Sequence, residues 1–218
     1  MKSPEIDNII AAAETLREGA RYQQSIKLFK EALQVSRKIR DKEGTYHCMC
    51  ALGDVYRMTG RFEHAAKMYT EAVRLARGIH SPDKAADARI GLGLSFRAQG
   101  IWQKAVRLIR TSKKTYETKH DRHGLAFALW AEAGTLRIKG DIPSALKAFR
   151  ESYRLYKALK DNQGIGYCLC GLGGASRVAG QIKDSLKDYI AANRLFSDMH
   201  DTFGKAYSFC GIANAYRM

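Results

Sequence analysis

The chain has 218 residues, 45% of them hydrophobic and 27% charged, with a formal net charge of +15. That composition excludes a disordered tail, and the length suits one domain or one solenoid with a continuous core. The basic excess predicts attraction to acidic partners (acidic peptide, nucleic acid or an anionic surface) and says nothing about fold.

No run of 18 apolar residues occurs, so no membrane-spanning segment is expected. Glu5, Asp7, Glu14 and Glu18 break any signal-peptide pattern at the start. Cys48, Cys50, Cys168, Cys170 and Cys210 are odd in number and lie in helical stretches. A disulfide framework does not fit them, and a reducing, cytoplasmic setting is expected.

The chain repeats itself without gaps every 40 residues, as blocks 1–40, 41–80, 81–120, 121–160, 161–200 and a half block, 201–218. A period in this range predicts a stacked helical solenoid, here a single domain over 1–218. In chain order, each later block opens on an N-cap residue: Asp41, Ser81, Asp121, Asp161 and Asp201. Pro82 follows Ser81 as a favoured first helical residue. Gly60, Gly100, Gly140 and Gly180, with Ala20 in the first block, mark the end of helix A, which should run from position 2 to 18. Helix B should follow from about position 22 to 39, capped in the fourth block by Asp141 with Pro143 in its first turn. It closes on Arg40, His80, His120, Lys160 and His200, cations that complement a helix C-terminus.

The expected core repeats as well. Position 12 is Ala12, Leu52, Leu92, Glu132, Leu172 and Ile212. Position 13 is small throughout, and position 16 is Leu16, Tyr56, Phe96, Leu136, Ser176 and Tyr216. On helix B, small residues at positions 25 and 32 flank Phe29, Tyr69, Ile109, Phe149 and Tyr189 at position 29. Glu132 and Ser176 interrupt the pattern, so weaker packing is expected in blocks 4 and 5.

Leu52-Gly53, Tyr56, Ala65, Tyr69 and Ala72 form a pattern that resembles the tetratricopeptide repeat over nearly the whole chain. The period resembles the long-repeat subclass of Pins-type adaptors. The resemblance implies an all-α, right-handed α-solenoid of five helix-turn-helix units plus a C-terminal single helix, eleven helices in all. It also implies a concave groove lined by one side of the A helices and a role as a protein-binding adaptor or scaffold.

A helical wheel places positions 5, 9, 13 and 16 on the packed side of helix A, and 7, 10, 14 and 17 opposite. Position 17 is arginine in all six copies: Arg17, Arg57, Arg97, Arg137, Arg177 and Arg217. Glu14 and Asp54 stand three residues before Arg17 and Arg57, a spacing that allows salt bridges. Arg97, Arg137, Arg177 and Arg217 face Leu94, Gly134, Gly174 and neutral Asn214 instead, so they are expected to lack a neighbouring acid. In the last three blocks the same side carries Phe127, Trp130, Tyr167 and Tyr207. Arginine and aromatics are the usual anchors of binding hot spots. The candidate peptide-binding set is therefore Arg57, Arg97, Arg137, Arg177, Arg217, Phe127, Trp130, Tyr167, Tyr207 and Asn214. Packing between neighbouring A helices is the competing reading of Phe127, Trp130 and Tyr167.

No catalytic constellation stands out, and neither an enzyme activity nor a cofactor is expected. Cysteines two apart on a helix point about 200° apart and do not chelate together, so Cys48, Cys50, Cys168 and Cys170 read as small packed residues. His120, Asp121 and His123 read as a polar linker. Gly91-Leu-Gly93 and Gly171-Leu-Gly-Gly174 lie mid-helix, without the strand that a dinucleotide loop requires. Three functions stay open. The first is an adaptor binding an acidic peptide or protein segment. The second is a basic solenoid binding single-stranded nucleic acid, although many Lys and Arg lie on the outer face of helix B. The third is a scaffold that self-assembles through the lone C-terminal helix, whose Phe209, Ile212 and Tyr216 need cover.

Overall fold

The computed structural model describes residues 4–218, with the backbone alone at 4 and 5; residues 1–3 of the first repeat lie outside the described residues. Among the described residues there are eleven α-helices and no strand. The A helices are α1 (Pro4–Glu18), α3 (Lys42–Met58), α5 (Pro82–Ala98), α7 (Arg122–Lys139), α9 (Asn162–Val178) and α11 (Thr202–Tyr216). The B helices are α2 (Tyr22–Lys38), α4 (Phe62–Gly78), α6 (Trp102–Thr118), α8 (Ile142–Leu159) and α10 (Ile182–Asp198).

The helix ends follow from the punctuation in the sequence. Asp41, Asp121, Asp161 and Asp201 each accept from backbone N–H groups in the first turn of their helix. Ser81 does not: its side chain makes no capping bond, and α5 starts instead on Pro82, which has no N–H to satisfy. Gly60, Gly100, Gly140 and Gly180 take left-handed backbones, with φ of 74°, 77°, 93° and 77°. The B-helix ends do the same without glycine, since Arg40, His80, His120, Lys160 and His200 all have φ between 54° and 59°. Position 40 therefore reverses the chain as well as carrying a cation. The next N–H then reaches back five residues, as in Asp41 N–H to Ser36 O at 2.8 Å and Asp161 N–H to Tyr156 O at 3.0 Å.

Packing is built on glycine sockets for rings. A Cβ at Gly53 or Gly91 would strike the Tyr69 ring, and one at Gly173 or Gly211 would strike the Tyr189 ring. The ring at position 29 is thus clamped between position 13 of its own repeat and position 11 of the next. A second socket lies at the repeat junctions, where Gly124, Gly164 and Gly204 touch Tyr116, Tyr156 and Phe196. Two buried serines satisfy their hydroxyls on the neighbouring helix: Ser112 Oγ donates to Ala86 O at 2.8 Å and Ser152 Oγ to Ala126 O at 2.7 Å.

The helices divide into two compact units, one ending at Thr115 and the other beginning at Tyr116. In unit 1, α1 to α4 pack in sequential pairs, α4 packs on α5, and α1, α3 and α5 touch in turn. In unit 2, α7 to α11 pack sequentially, with α9 also touching α7 and α11.

Several expectations need correction. Position 12 is core at Leu52, Leu92 and Leu172, but Ala12 is exposed, and Tyr216 at position 16 is 72% exposed. Glu132 is buried and engaged in an interaction, so the fourth repeat accommodates its carboxyl. Positions 10 and 14 are less open than the wheel suggests: Ile90, Cys170, Leu94, Gly134 and Gly174 are buried. The cause is the contact between successive A helices, which covers part of the side opposite helix B.

Candidate functional site

The position-17 arginines of α1, α3, α5, α7 and α9 lie in the last turn of their helix, and Arg217 follows the end of α11 as its C-cap. Five of them, Arg17, Arg57, Arg97, Arg137 and Arg177, are half-buried, and Arg217 is exposed. They are not inside the packed layers. Their surroundings differ between the two units.

In unit 1, Arg17 and Arg57 are answered by acids. Arg17 Nε donates to Glu14 Oε2 at 2.6 Å, and His47 Nε2 stands 3.4 Å from the other oxygen of that carboxylate. Arg57 Nη2 donates to Asp54 Oδ1 at 3.3 Å, and the Tyr69 hydroxyl donates to the same oxygen at 2.7 Å. Burial and the Asp54 carboxylate together push the Tyr69 phenol pKa well above the ordinary value. A recess lined by Asp7, Ile10, Asp41, Glu43, Gly44 and His47 adds further carboxylates in unit 1. Arg97 was expected to lack a partner because Leu94 precedes it. It is not without one.

Unit 2 lacks those acids. Position 14 is Gly134 and Gly174 in place of Glu14 and Asp54. The Arg137 side chain takes part in no hydrogen bond or ion pair among the described residues, and its Nε is buried without an acceptor. Arg177 Nε is buried without an acceptor too, and its Nη1 has only the Met218 sulfur at 3.9 Å. The Arg57 Nε shares this state, but its Nη2 reaches Asp54. Tyr189, the counterpart of Tyr69, donates to no described residue. A Cβ placed on Gly174 would lie 3.1 Å from the Tyr189 hydroxyl and 3.5 Å from Arg137 Nη1. Burial raises the Tyr189 pKa, Tyr207 and Cys170 add to it, and Arg137 and Arg177 oppose it, so both guanidiniums act on that hydroxyl.

The aromatics come together in the same unit. Phe127 and Trp130 stack at 5.7 Å between ring centroids, Trp130 meets Tyr167 edge-on at 6.4 Å, and Tyr167 lies 6.5 Å from Tyr207. Trp130 Nε1 donates to Tyr167 O at 3.3 Å, tying α7 to α9. Trp130 and Tyr167 are half-buried packing residues, while Phe127 and Tyr207 remain 40% and 49% exposed. Asn214 is exposed on α11.

Cys48, Cys168 and Cys170 are buried and Cys50 is half-buried, whereas Cys210 is exposed. Desolvation pushes the four less exposed thiols up to about 12. Among the described residues no group of three or more His, Cys, Asp or Glu is placed to hold a metal ion. His123 Nδ1 lies 3.9 Å from Asp161 Oδ2, and Asp121 caps α7. No described helix is long and apolar enough to cross a membrane.

Sequence reasoning missed Tyr189 as part of the site and missed position 11 as a ring socket. The signal for the second was present in Gly91, Gly171 and Gly211.

Comparison with known proteins places this geometry. The tetratricopeptide repeat family profile matches residues 6–78. No sequence relative among curated proteins matches the chain. Among solved structures the chain is similar to BtubC (BKLC) from P. vanneervenii, at 17% identity and TM-score 0.72, covering 90% of this chain and 81% of that one. It is similar to the nearly identical TPR-like repeats from Podosopora anserina, at 12% identity and TM-score 0.68, covering 93% of this chain and 100% of that one. It is also similar to a Rap protein complexed with Competence and Sporulation Factor, at 14% identity and TM-score 0.70, covering 99% of this chain and 65% of that one. At these identities the likeness is one of fold. The tetratricopeptide repeat profile thus covers the first two repeats, and the same two-helix unit recurs through the later ones.

Proposed function

We propose that this protein is an interaction adaptor whose unit 2 groove binds an acidic segment of a protein partner. The observation that supports this most is the contrast at position 17. Arg17 and Arg57 are neutralised by acids of their own helices, whereas Arg137 has no partner among the described residues and Arg177 only a sulfur. Two half-buried guanidiniums left this way attract carboxylates more strongly than two solvated ones, because charge-assisted hydrogen bonds gain strength as water is removed. Phe127, Trp130, Tyr167 and Tyr207 lie on the A helices of the same unit and would take the apolar residues of the segment. The Rap structure complexed with Competence and Sporulation Factor supports the use of this fold as a recognition surface. Catalysis forms no part of the proposal.

Arg217 and Asn214, both exposed, would extend the groove rather than anchor it, and Arg97, in unit 1, is already engaged. The test is a pair of titrations followed by fluorescence anisotropy, one with labelled acidic peptides and one with single-stranded RNA and DNA. The adaptor reading expects acidic peptides to bind and their charge-neutral counterparts not to. Tight RNA or DNA binding with a steep salt slope, and no acidic-peptide binding, would overturn it in favour of nucleic acid.

A further inference from the structure

We infer that Gly174 marks a built subsite for one carboxylate, held between Arg137, Arg177 and the Tyr189 hydroxyl. The inference rests on the acidic-segment reading above and narrows it to a single place. The repeat supplies an internal reference for that place. In repeats 1 and 2, Arg17, Arg57 and Tyr69 are served by Glu14 and Asp54. In repeats 4 and 5 the equivalent residues are Arg137, Arg177 and Tyr189, and both acids have become glycine. The cations and the phenol have been kept while their acceptors have gone.

The space is defined by what surrounds it. A Cβ at Gly174 would already stand 3.1 Å from the Tyr189 hydroxyl and 3.5 Å from Arg137 Nη1, so anything placed just beyond Gly174 meets both. In unit 1 the group in that position is the Asp54 carboxylate, 2.7 Å from the Tyr69 hydroxyl. The Tyr189 ring cannot move away, because Gly173 and Gly211 clamp it on both sides. The site is therefore preorganised: a donor hydroxyl on a fixed ring and two guanidiniums, with Tyr207 of the aromatic run alongside. A planar carboxylate fits this donor set, as Asp54 does in unit 1. Its source would be an Asp or Glu side chain or a chain terminus of the partner.

The test restores the missing acceptor. Gly174→Asp places a carboxylate where Asp54 has one, and Gly174→Ala adds the Cβ alone. The probes are peptides selected by the full chain from two randomised twelve-residue libraries, one with amidated and one with free C-termini. The inference expects selected amidated peptides to contain Asp or Glu. Changing that residue to Asn or Gln should weaken binding to the wild type about 10- to 100-fold, the range for a charge-assisted hydrogen bond. The same change should cost Gly174→Asp less than about twofold, because its own carboxylate already fills the site, while Gly174→Ala should behave as wild type. Selection of acid-free peptides from the free-terminus library alone would support the same site with a terminal carboxylate as its occupant. Should Gly174→Asp unfold, Arg137→Gln and Tyr189→Phe must each reduce the acidic-residue dependence at unchanged helicity.

If acidic peptides bind but Gly174→Asp keeps full dependence on the acidic residue, the subsite is wrong and the adaptor reading stands. If neither library yields peptides that need a carboxylate, both are wrong. Phosphoserine in place of glutamate binding more than about tenfold tighter would overturn the carboxylate assignment in favour of a phosphoryl group.

Discussion

Tyr69→Phe and Tyr189→Phe remove the same atom from equivalent places and should have different consequences. The Tyr69 hydroxyl donates to Asp54 at 2.7 Å, and Tyr69 is only 3% exposed. A hydrogen bond to a charged group contributes about 1.5–3 kcal/mol, and the lower half of that range applies because the Asp54 side chain is 41% exposed. Tyr69→Phe should therefore cost about 1.5 kcal/mol. Asp54→Ala should cost a similar amount: it loses the hydroxyl bond and a weak ion pair to Arg57 but gains roughly 0.5 kcal/mol of helix propensity. The two changes share one bond, so the double variant should fall short of additivity by about 1 kcal/mol. Tyr189 has no such acceptor, and Tyr189→Phe should cost less than about 0.5 kcal/mol. Trp102 and Trp130 lie in different units, so urea unfolding followed by fluorescence in Trp130→Phe and Trp102→Phe backgrounds reports each unit separately. Equal costs for Tyr69→Phe and Tyr189→Phe would refute the claim that Gly174 leaves Tyr189 without its acceptor.

Other outcomes follow from the same geometry. Asp188 stands at position 28, where the earlier repeats have Leu28, Met68, Leu108 and Ala148; desolvation, with help from Asp184, raises its pKa to about 6. Its raised folded-state pKa means the stability it contributes is present below about pH 4 and lost as pH rises through 6. Asp188→Asn should accordingly stabilise the protein by about 1 kcal/mol at pH 7.5 and by nothing at pH 4, measured by thermal unfolding; the figure is held down because the group is only partly buried. Gly211→Ala should cost about 1–3 kcal/mol in the unfolding of unit 2, because its methyl would press on the clamped Tyr189 ring. In a thiol titration of the native protein at pH 8, Cys210 should react at once, and Cys48, Cys168 and Cys170 only after unfolding.

The helix pattern was legible because each end is marked by a residue with a local physical reason: aspartate caps at position 1 and glycine at position 20. Position 17 was legible because it never varies. What the sequence hid lies between helices. The bond from Tyr69 to Asp54 joins α4 to α3, and helical periodicity within either one does not show it. The wheel treated positions 10 and 14 as open, since it knows nothing of the next A helix pressing against them. Arg97 read as unpaired because only acids three residues away were considered, yet it is engaged. Tyr189 read as core, which it is, but its hydroxyl end also faces Gly174 and the arginines.

The arginines that matter can be separated from those that do not by reversing two pairs of charges. Arg137→Glu/Arg177→Glu and Arg17→Glu/Arg57→Glu have the same net charge and differ only in which unit they alter. Titrated with one acidic peptide selected by the wild type, at constant salt and with helicity checked by circular dichroism, the first variant should lose about 100-fold or more in affinity and the second less than about threefold. Equal losses in the two would mean that overall charge, and not the vacated acceptor positions of unit 2, attracts the ligand.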